Sequence, residues 1–331
     1  MVLLKSINEL SIKEGLVSVI VPMFNSSSTI KKCIDSFLEQ TYPDFELIIV
    51  DNGSTDDSYA VCEPYQAKDS RIRLLKADRK GVSYARNFGL ERSCGEYIVF
   101  HDSDDYVDRS FLQKMLDAIK KNDCKLAMCN FIIEKGQQKK EDRSLTGYNS
   151  VETYKTILNR ILYCKTDGYC WGNIWRRDAV VYGFAPYTYA EDAFFLFSNI
   201  SATSGDVAIV EEPLYYYCRN ANSITAVADD YEMFDSLKVA KRIITTTERS
   251  LTEYLKPAYS YLINFAFYAY LTDKKGNEKF CKKIDRYSVK LIRKYRSRVL
   301  FDPKATLKTK AACILSLFSM KLVKAVYSRL K

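Results

Sequence analysis

Four short, largely apolar runs punctuate the first hundred residues, and segments with helical spacing separate them. The runs are "LVSVIVP" (16–22), "FELIIVD" (45–51), "IRLLK" (72–76) and "EYIVFHD" (96–102). Between the first two, "STIKKCIDSFLEQ" (28–40) brings Ile30, Cys33, Ile34, Phe37 and Leu38 to one helical face behind a Ser/Thr start. "VSYARNFGLERS" (82–93) reads as another helix, and a third is expected through the fifties and sixties. Strands alternating with helices imply a mostly parallel sheet with both faces covered. The expected class is therefore α/β, a Rossmann-like sheet flanked by helices.

A chain of 331 residues holds one large core, or a domain plus an appendage. Hydrophobic residues make up 47% and aromatics 13%, which argues for a globular protein over a disordered one. Ten cysteines are scattered without a CxxC pair, and "MVLLKSINEL" lacks the long apolar segment of a secretory signal. The expectation is free thiols in a reducing cytoplasm. A single histidine and no paired cysteines disfavour a Cys/His zinc site. The formal charge of +9 is uneven. Residues 226–331 carry 23 Lys/Arg against 10 Asp/Glu, leaving 27 against 31 for residues 1–225. Basic character confined to one third of the chain does not suit a general nucleic-acid surface, and no nucleic-acid partner is expected.

Polar residues gather where the strands end: Asn25, Asp51, Asp102 and Asp104. In open α/β sheets that edge binds ligands. No GxGxxG follows any strand, which disfavours a dinucleotide enzyme. In "FHDSDDYVD" (100–108), Asp102 and Asp104 stand two apart, so an extended backbone sends both carboxylates to one face. Their repulsion calls for donors or a cation, and Mg(II) or Mn(II) is commonly held by one or two carboxylates plus phosphates and water. The alternative is an Asp-rich turn capping the next helix, with Asp108 as its N-cap. His101 is read as a packing residue.

Taken in order, "SVIVPMFN", "LIIVDNGSTDDS", "GVSYARNFGL" and "VFHDSDD" closely resemble the nucleotide-sugar half of family-2 glycosyltransferases with the A-type fold. "AEDAFF" (190–195) is similar to the acidic motif of that family's acceptor half, and "YYYCRNANSIT" (215–225) to its closing segment. The resemblance covers residues 16–225. It implies a catalytic domain over 1–225, with a nucleotide-sugar half of about 16–130 and an acceptor half of about 131–225, followed by a helical region over 226–331. It also implies inverting, metal-dependent transfer from a UDP-sugar to a glycan, of the type found in bacterial surface-polysaccharide assembly. Pro22, Phe24 and Asn25 would line the base pocket and Asp51 would accept a hydrogen bond from uracil. Arg86 and Asn87 would lie near base and diphosphate. Asp102 and Ser103 would reach the nucleotide-sugar, with Asp104, aided by Asp102, on Mg(II) or Mn(II).

The same resemblance makes Asp192 the catalytic base, with Glu191 orienting the acceptor and Arg219 facing the departing diphosphate. A carboxylate can both take a hydroxyl proton and face a cationic anomeric carbon. "WGNIWRRD" (171–178) departs from the family pattern, with Asn173 where relatives often carry a lysine. Trp171 and Trp175, four apart, could share a helical face and pack, or offer an acceptor-sugar platform.

"LKTKAACILSLFSMKLVKAVYSRLK" (307–331) carries an apolar helical stripe with basic residues at both ends. It could lie on an anionic inner leaflet or dock on the catalytic domain. "YSYLINFAFYAYL" (259–271) poses the same choice, and both are shorter than a membrane span. The membrane reading makes a lipid-linked acceptor natural and places the protein on the cytoplasmic face of the membrane. Two rivals differ in class: a related nucleotidyltransferase, which needs a Gly-rich basic phosphate loop that "PMFNSSSTI" lacks, and a membrane-surface scaffold without turnover.

Overall fold

A computed structural model describes residues 2–3, 11–166, 168–219, 230–272, 274 and 277–330. Its strands are β1 (Val2–Leu3), β2 (Lys13–Met23), β3 (Phe45–Asp51), β4 (Ile72–Lys76), β5 (Gly95–Phe100), β6 (Tyr106–Val107), β7 (Leu126–Lys135), β8 (Gln138–Asp142), β9 (Val151–Thr153), β10 (Asn173–Arg176), β11 (Tyr182–Gly183) and β12 (Asp206–Cys218). Helices α1 (Ile30–Leu38), α2 (Ser58–Lys68), α3 (Val82–Leu90), α4 (Phe111–Asn122), α5 (Tyr154–Leu162) and α6 (Glu191–Ala202) alternate with them. Beyond residue 229 the chain is helical: α7 (Asp230–Ser250), α8 (Leu255–Leu271), α9 (Glu278–Leu300), α10 (Leu307–Phe318) and α11 (Met320–Leu330).

The main sheet runs β4-β3-β2-β5-β10-β7-β12-β6, with β8 beside β7 and β9 beside β12. β4, β3, β2 and β5 are mutually parallel, as are β7 and β12. β10 sits antiparallel between β5 and β7. The four expected strands are thus the four parallel ones, and β3 is buried along its whole length because helices cover both faces. The polar stretch 132–150 contains the end of β7 and its hairpin partner β8. Pro22 lies past the last β5 partner pair, Ile20 with Phe100, so its missing N–H breaks no bond to that neighbour.

The core follows the periodicity. Ile30, Cys33, Ile34 and Phe37 of α1 are fully buried beside Val19, Val21, Leu47 and Val99. Burying one such side chain stabilises by about 1.5–3 kcal/mol. On the other face, α3 approaches β2 and β3 at Gly89. A Cβ there would stand 2.6 Å from Ile20 Cγ2, so only glycine lets the helix lie this close. That contact sets the height of Arg86, one turn earlier.

The chain divides into two compact units, one of residues 1–157, 168–186 and 191–223, the other of 158–167, 187–190 and 224–331. The second unit therefore includes two short segments that the sequence suggested for the first domain. Within it, α8 buries Ala258, Tyr261, Leu262, Ile263, Ala266 and Phe267, so 259–271 is a core helix. α9 is amphipathic, burying Ile284, Leu291, Ile292, Tyr295 and Val299. The single stripe expected over 307–331 is corrected to two helices, because Ser319 is extended (φ −160°, ψ 136°) and separates α10 from α11. No helix among the described residues is long and apolar enough to cross a membrane.

Candidate active site

Arg86 is 3% exposed, and its guanidinium gathers three carboxylates from two distant parts of the chain. Nη1 donates to Glu191 Oε1 at 2.8 Å and to Asp192 Oδ1 at 3.0 Å, and Nη2 donates to Asp102 Oδ1 at 2.9 Å. Each group is delivered by an element end. Asp102 stands two residues past the end of β5, while Glu191 and Asp192 open α6, where acidic groups favour the helix dipole. Ala190, just before them, takes φ +58°, a left-handed conformation that costs an L-residue about 1–2 kcal/mol. The backbone N–H of Cys170 approaches Asp192 Oδ2 at 3.4 Å.

One guanidinium cannot neutralise three carboxylates, of which Glu191 is buried and Asp102 and Asp192 are partly buried. Burial, reinforced by Asp192, pushes Glu191 up to about 8. Burial also raises Asp192, against the opposing pull of Arg86. A carboxylate whose pKa is raised toward neutrality is a stronger general base than an ordinary one. Further along the loop, burial and the neighbouring Asp102 raise Asp104 to about 6. Asp105 is buried and raised well above the carboxylate range by burial and by Asp104. It accepts the Tyr215 hydroxyl at 2.6 Å and the Cys218 backbone N–H at 2.7 Å, which ties the end of β12 to the acidic loop. His101 packs edge-on against Phe37 and Tyr215, and burial lowers it to about 4, so it is neutral at physiological pH.

Among the described residues no cluster of three or more His, Cys, Asp or Glu side chains could hold a metal by itself. The acidic loop nevertheless fits a hard divalent ion of the Mg(II) or Mn(II) kind. Among the described residues Asp104 has no cationic partner, and its raised pKa marks charge that a cation would relieve. Such an ion takes one or two protein carboxylates and completes its shell from phosphates and water.

The expected nucleotide-binding residues stand at the C-terminal edge of β2, β3 and β5. Phe24 is 44% exposed at the end of β2. Asn25 (φ +49°) accepts the Thr55 N–H at 2.8 Å, which ties the loop after β2 to the loop after β3, and Asp51 accepts the Ser54 N–H at 3.1 Å, which shapes its own turn. Pro22 is buried within β2. Ser103 shares a 2.7 Å hydrogen bond with Ser26, joining the loops after β5 and β2. Arg219 is exposed, extends the β12–β7 ladder through its N–H to Glu134 O at 2.8 Å, and lies over the Tyr217 ring at 5.8 Å. Residues 220–225 of the closing segment lie outside the described residues.

Four expectations are corrected. Asn87 does not face the base edge, because its amide clamps Phe184, donating to its carbonyl at 2.9 Å and accepting its N–H at 2.8 Å. Arg86 reaches the site through carboxylates, leaving no exposed guanidinium to meet a diphosphate. Trp171 and Trp175 share no helical face, since Trp175 lies in β10. Trp175 is fully buried against Phe195, and Trp171 is 6% exposed, stacked on Tyr169 and Tyr215, so neither offers a sugar platform. Roles that the motifs did not disclose fall to Cys170, through its backbone N–H, and to Asp105 with Tyr215. Tyr169, stacked on Trp171 at 4.4 Å, is the exposed aromatic of this cluster.

A family model described as Glycosyl transferase family 2 matches residues 18–183. The uncharacterized glycosyltransferase EpsJ of Bacillus subtilis is 33% identical over 221 residues, 64% of this chain and 63% of its own. Glycosyltransferase GlyG of Streptococcus pneumoniae is 35% identical over 117 residues, 35% of this chain and 39% of its own. Chondroitin synthase of Escherichia coli is 34% identical over 134 residues, 40% of this chain and 19% of its own. The matched part is thus less than two thirds of each relative's length. Among solved structures, S. aureus TarS 1–349 in complex with UDP-GlcNAc superposes with a TM-score of 0.71 at 20% identity, over 95% of this chain and 92% of that one. The likeness shows a shared A-type glycosyltransferase fold with a helical C-terminal extension.

Proposed function

Given that the chain belongs to glycosyl transferase family 2, we propose that it transfers a sugar from a UDP-sugar to a glycan hydroxyl with inversion at the anomeric carbon. The observation that carries this reading is the three-carboxylate grip of Arg86, which joins the base candidate Asp192 to the acidic loop at Asp102. A base and a metal-binding loop brought to one guanidinium suit in-line displacement of a nucleoside diphosphate. Asp192 takes the acceptor hydroxyl proton as that oxygen attacks the anomeric carbon, and the bond to the β-phosphate oxygen breaks with its electron pair leaving on UDP. Glu191, held protonated near neutrality, orients the acceptor as a donor of a hydrogen bond. Phe24 packs against the base, and Asp51 and Asn25 meet its polar edge. Asp104, with Asp102 behind it, would hold Mg(II) or Mn(II), which when bound offsets charge on the diphosphate. Arg219 adds a guanidinium for the departing diphosphate.

The UDP-GlcNAc complex of TarS supports a UDP-sugar donor, and chondroitin synthase supports a growing glycan as acceptor. The basic C-terminal third supports a lipid-linked acceptor at the cytoplasmic face of the membrane, contacted through 307–331. Titration calorimetry with UDP, with and without Mn(II), tests the site. Tight binding only with the ion is expected. Asp192→Asn should keep UDP affinity within about twofold and lose transfer by at least about a thousandfold, the scale of losing a general base with its charge. Undiminished transfer in that variant removes Asp192 from the mechanism.

A further inference from the structure

Helix α10 is inside out. Its buried side consists of Thr309, Cys313 and Ser316. Its outward side carries Leu307 (84% exposed), Ala311, Ile314 (48%) and Phe318 (79%), spaced four, three and four residues apart along one stripe, with Leu317 (52%) beside it. The rotation of the helix is pinned by polar contacts. Thr309 Oγ1 donates to Asn264 Oδ1 of α8 at 2.6 Å, and Arg296 of α9 donates to Ser316 O at 2.6 Å. The Thr306 hydroxyl accepts the Thr309 N–H at 3.1 Å and fixes the first turn. Phe301, six residues ahead of the helix, is 86% exposed, and Leu322 of α11 is 42% exposed. A contiguous exposed apolar stripe of this kind marks an interaction surface.

The charges around the stripe select the partner. Residues 301–330 contain Lys304, Lys308, Lys310, Lys321, Lys324 and Arg329, against a single acid, Asp302. Asp302 is buried and accepts the Tyr163 hydroxyl at 2.8 Å, so it offsets none of that positive surface. Lys308 and Lys310 flank the stripe on the helical wheel, where their stems can follow apolar atoms while the ammonium groups reach phosphates. A second copy of the same face would set cations against cations.

We propose that the outward face of α10, with Phe301 and Leu322 beside it, docks on an anionic lipid surface, its apolar stripe entering the headgroup boundary and its lysines meeting lipid phosphates. The proposal rests on the membrane setting given above, not on the sugar chemistry, and its test separates the two. The full chain is sedimented with vesicles of phosphatidylcholine alone and with vesicles containing phosphatidylglycerol. Binding to the second is expected, weakened by salt. Ile314→Glu with Phe318→Glu should weaken it by about tenfold or more, since two apolar side chains leave the stripe and two negative charges face the anionic surface. UDP binding and donor hydrolysis should stay unchanged, and circular dichroism should show an unaltered helix signal. Equal binding by the variant, or equal binding to neutral vesicles, overturns the proposal. So does a concentration-dependent dimer abolished by the same substitutions, which would assign the face to a second copy. Loss of hydrolysis in the unsubstituted protein would instead strike at the enzymatic reading and leave the vesicle result standing.

Discussion

Arg86 carries one positive charge for Asp102, Glu191 and Asp192, and the site's chemistry follows from that shortfall. Removing one partner of a buried ionic group is expensive because the others are left uncompensated. Arg86→Met should therefore destabilise the protein by about 3–5 kcal/mol in chemical denaturation. The guanidinium is also what lowers Asp192 against burial. Without it Asp192 rises further, so the acidic limb of the activity profile should move to higher pH in Arg86→Met. A limb that stays in place would show that Asp192 does not report it. The "ARN" motif made Arg86 legible as a site residue, but not its partners. An arginine's family role as a ligand contact and its role as a clamp for carboxylates leave the same letter in the chain. Asn87 likewise reads as a polar residue by the donor, and only the position of the Phe184 backbone turns it into a clamp.

At the level of elements, β12 and the acidic loop act together. Tyr215 stacks on Trp171 at 4.5 Å and donates to Asp105, whose other oxygen takes the Cys218 N–H. Tyr215→Phe keeps the stack and deletes the hydroxyl, leaving a buried acid with one partner fewer. A loss of about 1–3 kcal/mol is expected, read by urea denaturation, together with faster hydrogen exchange at the Cys218 amide. Unchanged exchange there would show that the loop does not hold the strand. The parallel strands were legible because short apolar, β-branched runs are local signals. The four-residue spacing of Trp171 and Trp175 allowed a shared helical face, but β10 is a strand because β5 and β7 capture it on either side, a pairing between residues far apart in sequence. Pairing across such distances overrides local spacing.

For the molecule as a whole, charge decides how ligands and pH act. Asp104, raised to about 6, favours its protonated form in the folded state. Its ionisation therefore weakens the fold: that penalty is absent below pH ~4, the unfolded carboxylate range, and grows as pH rises through about 6. At neutral pH, Asp104→Asn should melt higher than the unsubstituted protein when both are free of ligand. UDP with Mn(II) at about a hundred times its Kd should stabilise the unsubstituted chain by about 2.7 kcal/mol, and Asp104→Asn should lose the part of that gain that depends on the ion. A variant that melts lower without ligand, or responds fully to Mn(II), would remove Asp104 from the cation site. The basic C-terminal third was legible from composition alone, yet the split at Ser319 and the outward apolar face of α10 were not. Asn264 and Arg296 choose which side of that helix turns inward, and a helical wheel cannot know where they stand.

Taken by itself, the sequence determined the class of sheet, the positions of its four expected strands and the acidic motifs at their ends, because apolar runs, helical spacing and strand-end chemistry are written over a few neighbouring residues. Tertiary structure alone decided that residues 86, 102 and 192 meet, that Trp175 is core, and that α10 faces outward. Each of those depends on contacts between distant segments whose energies are set by position in space and leave no periodic trace along the chain.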